Sequence, residues 1–214
     1  NVSQSNFLGT GNRVSVGLNR SDVRNSYNLS FLDPYFTPEG ISRGYNIYLR
    51  QTKLDNLNIS NYSTDSLGAN ISFSYPIDET ETISFSAGID QTKINLGVNP
   101  SEAVYKFTNE NGNNVMTYTG TASWGRNTLN RGTFPTAGAS QSVAMEMGLP
   151  GSDISFYKLT YNAQRYFPVR NEWVGRGYAR LGYGDALNGE GLPFYRNFFG
   201  GGFGSVRGYR DYSM

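Results

Sequence analysis

The most unusual segment of the sequence is glycine-rich and runs from Asn197 to Tyr209. It contains five glycines and a single arginine, Arg207. Some nucleotide-binding proteins cradle phosphates in such loops, but a Walker A motif needs Gly-Lys-Ser/Thr after the glycines, and none is present. The dinucleotide fingerprint needs a third glycine in register, where Arg207 stands, and a helix after it. Nucleotide binding is therefore disfavoured. A flexible glycine loop with a surface arginine remains the plain alternative to a functional motif.

Residues suited to bond-breaking or metal chemistry are scarce. The sequence has no cysteine and no histidine, which removes disulfides, thiolate metal sites, the commonest zinc ligand and the Ser-His and Cys-His nucleophile systems. Acidic pairs such as Asp185 with Glu190, or Asp78 with Glu79, lack the spacing of an EF-hand and are interpreted as solvated loop charges. We predict no catalytic residue, no metal and no cofactor.

The composition restricts the class of protein. The 214 residues carry 18 basic and 17 acidic side chains, a net charge of +1 that indicates no nucleic-acid-binding face. Charged residues make up only 16% and hydrophobic residues 37%, while aromatic residues reach 14%, too many for a disordered coil. No apolar run approaches the roughly 18 residues of a membrane helix. A membrane barrel has this composition, because only every second strand residue faces lipid.

Alternation of apolar and polar residues is the strongest structural signal. From Leu67 to Tyr75 the odd-numbered residues are apolar, and the even-numbered ones are Gly, Asn or Ser. The same period of two predicts nine strands, at 14–18, 27–31, 45–49, 67–75, 83–89, 118–124, 143–147, 157–163 and 173–183. No segment shows the 3.6-residue period of an amphipathic helix.

A soluble antiparallel sheet with one wet face would show the same alternation. Three features favour a membrane-spanning barrel: strands of about ten residues, a polar face with few charges, and aromatic residues near strand ends. The aromatic residues expected in such a band are Tyr75, Trp124, Tyr166 and Trp173.

The connections alternate in character. Those after every second predicted strand contain proline, at Asp33–Gly40, Pro76–Glu79, Arg131–Gly138 and Phe167–Glu172. The others vary more, and the longest is a loop from about Leu96 to Val115. Turns on one side and loops on the other predict an all-β fold, a transmembrane antiparallel up-and-down β-barrel.

Three basic residues, Lys158, Arg176 and Arg180, fall on the polar face of the last two predicted strands. We expect them to pair with acidic groups inside the barrel. Binding of anionic lipid or substrate is the alternative.

The glycine-rich segment also carries a family resemblance. Val206-Arg207-Gly208-Tyr209, preceded by Phe199-Gly200-Gly201-Gly202, resembles the signature of the BamA-type superfamily of outer-membrane assembly and secretion barrels. Two-partner secretion transporters share the Arg-Gly-Phe/Tyr loop, but they are not expected to match the rest of the chain as well. Further segments resemble the assembly members in order and spacing: Asn6–Gly11, Asp33–Thr37, Arg131–Gly138, Pro150–Asp153, Gly182–Asp185 and Pro193–Tyr195.

The resemblance implies a sixteen-stranded barrel whose sixth extracellular loop folds back into the lumen. Arg207 would be held there by acidic and aromatic partners on later strands, which suits the rigid five-donor fork of a guanidinium. Glycines would let the backbone turn sharply and approach the wall. The residues assigned to this lumen-inserted loop motif are Gly200, Gly201, Gly202, Val206, Arg207, Gly208 and Tyr209.

The resemblance also implies a domain assignment. Residues 1–214 are expected to form a partial outer-membrane β-barrel domain, about nine of the sixteen strands. These would be the third to the eleventh, followed by the start of the sixth loop. The lateral gate, formed by the first and last strands, and the N-terminal periplasmic POTRA domains are expected to lie outside the chain.

The implied function is non-enzymatic. It is that of the central component of the outer-membrane protein assembly complex, which folds and inserts β-barrel proteins into the bacterial outer membrane. The implied partners are unfolded outer-membrane protein precursors, accessory assembly lipoproteins, periplasmic chaperones and outer-membrane lipid, with no nucleic acid. A passive porin or two-partner secretion pore is the alternative, and an outer-membrane hydrolase is disfavoured by the missing histidine.

Overall fold

The protein forms one antiparallel sheet whose strands pair in chain order, from β1 at one edge to β10 at the other. The computed structural model describes residues 1–21, 24–53, 62–170, 173–187, 191–201 and 207–209. No helix among them is long and apolar enough to cross a membrane. The strands are β1 Val2–Gln4, β2 Arg13–Arg20, β3 Arg24–Asp33, β4 Ser42–Lys53, β5 Tyr62–Pro76, β6 Glu81–Leu96, β7 Asn114–Asn127, β8 Gly138–Gly148, β9 Phe156–Arg170 and β10 Trp173–Ala186.

The nine predicted strands are confirmed as β2 to β10. The sequence did not predict β1, a three-residue strand that pairs Val2 with Val16 of β2. Three residues are too few to show an alternating pattern, so only pairing with a neighbour defines this strand.

The register places the apolar residues of neighbouring strands on one face, here called the outer face. Leu29 of β3 pairs with Ile47 of β4, and the row continues across β5, β6 and β7 through Ala69, Ile89 and Tyr118. Ile47 is 54% exposed, and apolar residues of this face are exposed along the whole sheet. An apolar surface this extensive is unusual for a protein in water and suits contact with hydrocarbon.

The inner face is the opposite side, and its strand residues are mostly polar. One position along from the apolar row, Asn28 pairs with Tyr48, and the row continues through Gly68, Asp90 and Thr117. Because successive side chains point to opposite faces, a shift of register by one residue would exchange the two faces. Because the apolar outer face is the one suited to hydrocarbon, its removal from water favours a single register for all the strands.

Aromatic residues lie where the predicted band would be, with one exception. Tyr75 pairs with Ile83, and Ile83 pairs with Trp124, all on the outer face near the ends of their strands. The prediction for Tyr166 is wrong. It pairs with Gly138 two positions beyond Gln164 and so lies on the inner face.

The four connections predicted as proline-containing turns, those after β3, β5, β7 and β9, all lie at one end of the sheet, here called the turn end. The other connections lie at the loop end, and two of them also contain a proline, Pro100 and Pro150. The segment Phe167–Arg170, predicted as part of a turn, instead continues β9, which ends at Arg170. In the turn between β5 and β6, the Asp78 carboxylate accepts hydrogen bonds from the backbone amides of Thr80 at 2.6 Å and Glu81 at 2.8 Å. These bonds hold the pKa of Asp78 below its usual value.

The longest connection contains a helix that the sequence did not predict. Helix α1, Glu102–Asn111, follows Pro100 and ends at Gly112, which has a φ of 75°. Val104 and Thr108 are its buried residues, four positions apart and therefore on one face. A ten-residue helix with so few apolar residues is marginal alone, so its packing on the inner face stabilises it.

A lysine substitution tests which face meets lipid. Ile47→Lys places a charge near the middle of β4 on the outer face, and we expect a loss of about 2–4 kcal/mol in folding free energy in a bilayer. The matched control is Asn46→Lys on the inner face, with an expected loss of no more than about 1 kcal/mol. Urea titration of folding into lipid vesicles measures both. Equal losses would contradict the assignment of the faces.

Candidate functional site at the inner face

The chain after β10 turns back and lies against the inner face at the loop end. Its central part is a single turn of 3-10 helix, Phe194–Arg196, in which the Arg196 amide donates to the Pro193 carbonyl at 2.8 Å. Leu192, Phe194 and Tyr195 pack against the sheet. We call residues 192–198 the inner segment.

The sheet presents an apolar seat to this segment. The inner face is polar along most of its length, but at the loop end it becomes apolar. Its residues there are fully or almost fully buried, and they are Tyr62 on β5, Ile94 on β6, Val115 on β7 and Phe156 on β9, joined by Ile154 and by Val104 of α1. The seat is therefore assembled from four strands and the helix, and it forms only when they pair in register.

Three aromatic ring pairs hold the inner segment against this seat and α1. The Phe194 ring meets Tyr62 edge to face at 4.6 Å between centroids and Phe107 of α1 at 5.5 Å. The Tyr195 ring meets Phe107 at 5.8 Å. Each such pair contributes about 0.5–1.5 kcal/mol beyond the buried area. Burial raises the pKa of the Tyr195 phenol to about 12, so it stays neutral at physiological pH.

Arg196 adds a charged attachment beside the apolar one. Its guanidinium donates to Glu146 of β8 at 2.7 Å and lies 3.6 Å from Asp90 of β6. It also lies 4.8 Å from the centroid of the Phe156 ring. The Arg196 side chain is only 16% exposed and Asp90 6%. Removing one partner of a buried pair typically costs about 3–5 kcal/mol, because the other charge is left uncompensated, and this applies to the pair with Asp90. Glu146 is 32% exposed, so solvent screens its pair and the contribution is smaller.

Asp90 is held in place by its own neighbours on the wall. The Tyr48 hydroxyl donates to one carboxylate oxygen at 2.6 Å, and the Thr92 hydroxyl donates to the other at 2.7 Å. Tyr48 reaches Asp90 across Gly68, since these three residues share one cross-strand row. A Cβ at Gly68 would lie 2.5 Å from the Tyr48 ring. The glycine therefore makes room for this contact.

The basic residues predicted on the inner face do lie there. The Lys158 ammonium donates to the Arg196 carbonyl at 2.8 Å, and Lys158 lies opposite Glu146 in the register. Arg176 donates to the amide oxygen of Gln164 at 3.2 Å and lies beside the Tyr166 ring, so its described partners are neutral rather than acidic. Arg180 pairs in register with Asn162 on the same face.

The predicted loop motif is only partly within the described residues. Gly200 and Gly201 follow the inner segment, and Arg207, Gly208 and Tyr209 form an exposed turn in which Gly208 has a φ of 92°. Gly202 and Val206 lie outside the described residues. The contact of Arg207 with acidic and aromatic partners on later strands stays a prediction.

Sequence reasoning missed Arg196, although it noted the neighbouring Pro193–Tyr195. A lone arginine in a loop is usually solvated. Only the fold brings Asp90 and Glu146 within reach of it, across sequence separations of more than a hundred residues and of fifty. The available signal was weak: two acidic residues, Asp90 and Glu146, occupy polar-face positions that elsewhere on their strands are mostly uncharged.

Comparison with known proteins decides the family. The Omp85 superfamily domain matches residues 6–214. The chain belongs to the Omp85 superfamily. This confirms the resemblance predicted from Val206–Tyr209 and from the segments before it. The predicted barrel fold and the integral outer-membrane localisation are likewise confirmed, since they are those of its Omp85 relatives.

Individual Omp85 relatives are similar over nearly the whole chain. The outer membrane protein assembly factor BamA of Neisseria meningitidis serogroup B is 33% identical, covering 98% of this chain and 28% of that protein. The BamA of Nitratidesulfovibrio vulgaris is 27% identical, covering 98% of this chain and 26% of that protein. The crystal structure of BamA from Haemophilus ducreyi lacking POTRA domains 1–3 superposes with a TM-score of 0.90 at 30% identity, covering 99% of this chain and 42% of that one. The chain thus spans roughly a quarter of the length of these curated relatives.

Removing the Phe194 ring tests the apolar attachment. Phe194→Ala loses the contacts with Tyr62 and Phe107, and we expect about 2–4 kcal/mol less stability for the inner segment. Hydrogen exchange should then accelerate at the Arg196 amide while the amides of β5 to β9 stay protected. Phe134→Ala is the matched control, because Phe134 is 86% exposed in a turn. Unchanged exchange at Arg196 would show that the ring does not hold the segment.

Proposed function

We propose that this chain forms the wall and the lumen-facing segment of an outer-membrane protein assembly factor, which folds and inserts β-barrel proteins into the bacterial outer membrane. The observation that carries the proposal is the inner segment, which is attached to the inner face by Phe194 and Arg196 instead of leaving that face open. The assembly-factor name of both curated relatives supports it.

The part played by this chain is mechanical. We assign its nine long strands to the third to eleventh of a sixteen-stranded barrel, followed by the start of the sixth extracellular loop. The first and last strands would then form the gate at which a precursor strand pairs, together with local thinning of the membrane. Such templated pairing works because unpaired edge groups have no water partner in lipid. No covalent bond is broken, so the proposal includes no catalytic residue.

The proposed partners follow from this role. They are unfolded outer-membrane protein precursors, periplasmic chaperones that deliver them, accessory assembly lipoproteins and the lipid itself. The apolar outer face provides the contact with lipid, through residues such as Ile47 and Ile89.

A passive pore is the competing function, and the inner segment argues against it. A pore needs an open lumen, whereas residues 192–198 cover the inner face of β5 to β9 at the loop end. We expect the complete protein to give small, erratic current steps in planar bilayers. Large and stable steps would favour a porin or secretion pore.

Arg207 provides the test of the assembly role. In the complete protein, Arg207→Ala should lower the levels of other outer-membrane barrels and make the loop more sensitive to protease, because the loop would lose its guanidinium contacts. Arg20→Ala is the control, an exposed arginine at the loop end of β2. Normal barrel levels together with unchanged protease sensitivity of the loop would overturn the proposal.

A further inference from the structure

Arg196 joins two strands that do not touch each other. Asp90 lies on β6 and Glu146 on β8, and β7 runs between them. In the register Asp90 is opposite Thr117 and Glu146 is opposite Thr121. The short threonine side chains of β7 leave the space in which one guanidinium reaches both carboxylates. We call Arg196, Asp90 and Glu146 the ionic latch.

The latch holds both the side chain and the main chain of the inner segment. While the guanidinium binds the two carboxylates, Lys158 of β9 donates to the Arg196 carbonyl at 2.8 Å. The Lys158 ammonium also lies 4.2 Å from the centroid of the Phe198 ring. Phe198 in turn covers Gly182 of β10, where any Cβ would collide with the ring. The attachment therefore extends from β6 to β10.

Further charged residues of the wall surround the latch. Two carboxylates, Asp90 and Glu146, face two cations, Arg196 and Lys158, on the same stretch of the inner face. Arg196 is the only one of the four that does not belong to the wall. Arg24 of β3 and Arg50 of β4 line the same cavity, so the wall keeps three cations and two carboxylates if the inner segment lifts away.

The fork of an arginine is required by this geometry. The contacts to Glu146 and Asp90 are made by different guanidinium nitrogens, at 2.7 Å and 3.6 Å. A lysine ammonium is a single point charge and cannot reach two carboxylates in this way. Substitution by lysine should therefore keep the charge but lose part of the attachment.

We infer that Arg196 is a positioning residue that latches the inner segment across β6 and β8 and so closes the lumen at the loop end. The inference rests on the contacts of residues 192–198 and does not depend on the role of the barrel in assembly. It differs from the expected role of Arg207, whose partners were predicted on later strands. The latch instead uses acids on strands of this chain.

Current recordings on the complete protein in planar bilayers test the inference. Arg196→Met keeps an unbranched apolar stem and removes the guanidinium with its charge. We expect openings to become about tenfold more frequent, because the ion pairs of Arg196 with Asp90 and Glu146 are lost. Arg196→Lys should lie between Arg196→Met and the unsubstituted protein in opening frequency.

Arg176→Met is the matched control, because Arg176 lies on the same face but bonds to a neutral amide of its own sheet. It should leave the opening frequency unchanged. If Arg176→Met has the same effect as Arg196→Met, or if Arg196→Met has none, the latch does not exist.

A double substitution separates the latch from a general loss of packing. Glu146→Gln should raise the opening frequency, and adding Arg196→Met should raise it by less than the product of the two single effects, because both remove one interaction. Multiplicative effects would overturn the inference. Heat-modifiable migration of each variant confirms that the barrel is folded, and Glu146→Gln provides the test if Arg196→Met does not fold.

The outcomes also separate this inference from the proposed function. If Arg196→Met changes the conductance while other barrels assemble normally, the latch is supported and has no role in assembly. Unchanged conductance in Arg196→Met overturns the latch, whatever Arg207→Ala does to assembly.

Discussion

Pairing of backbone hydrogen-bonding groups is the constraint on which the rest of this structure depends. In hydrocarbon an unpaired N–H or C=O has no water to bind, so a spanning sheet must satisfy its backbone from strand to strand. The ladder from β1 to β10 does so with antiparallel neighbours throughout. Once one strand is in register, alternation decides the face of every residue on the next. The outer apolar row through Ile47 and the inner polar row through Tyr48 are consequences of the same pairing.

The inner face changes character along its length, and that change creates the site. Toward the loop end its polar residues give way to buried apolar ones, such as Ile94 and Val115. A water-filled lumen would not favour these side chains, so they need a cover. The inner segment and α1 supply it through Phe194 and Phe107. The inner segment therefore depends on the apolar seat for its position, while the seat belongs to strands that are held by their own pairing.

Apolar contacts and ion pairs have different roles at this site. The aromatic rings bury apolar area, but ring packing alone tolerates small displacements. The ion pairs of Arg196 demand particular distances to Asp90 and Glu146 and so define where the segment stops. Tyr48 and Thr92 fix the Asp90 carboxylate from the wall side. A charged contact surrounded by apolar contacts can combine strong attachment with the possibility of release.

The sequence by itself determined the fold class and the family. Alternation over segments such as 67–75 depends only on the period of a strand, and the motif at Val206–Tyr209 is local, so both are readable without coordinates. Tertiary structure decided the rest. Helix α1 is too short and polar to be recognised before its packing partners are known, and β1 exists only through its pairing with β2. Arg196 meets Asp90 and Glu146 only because β6, β7 and β8 are in register, which is a property of the whole sheet and not of any one segment.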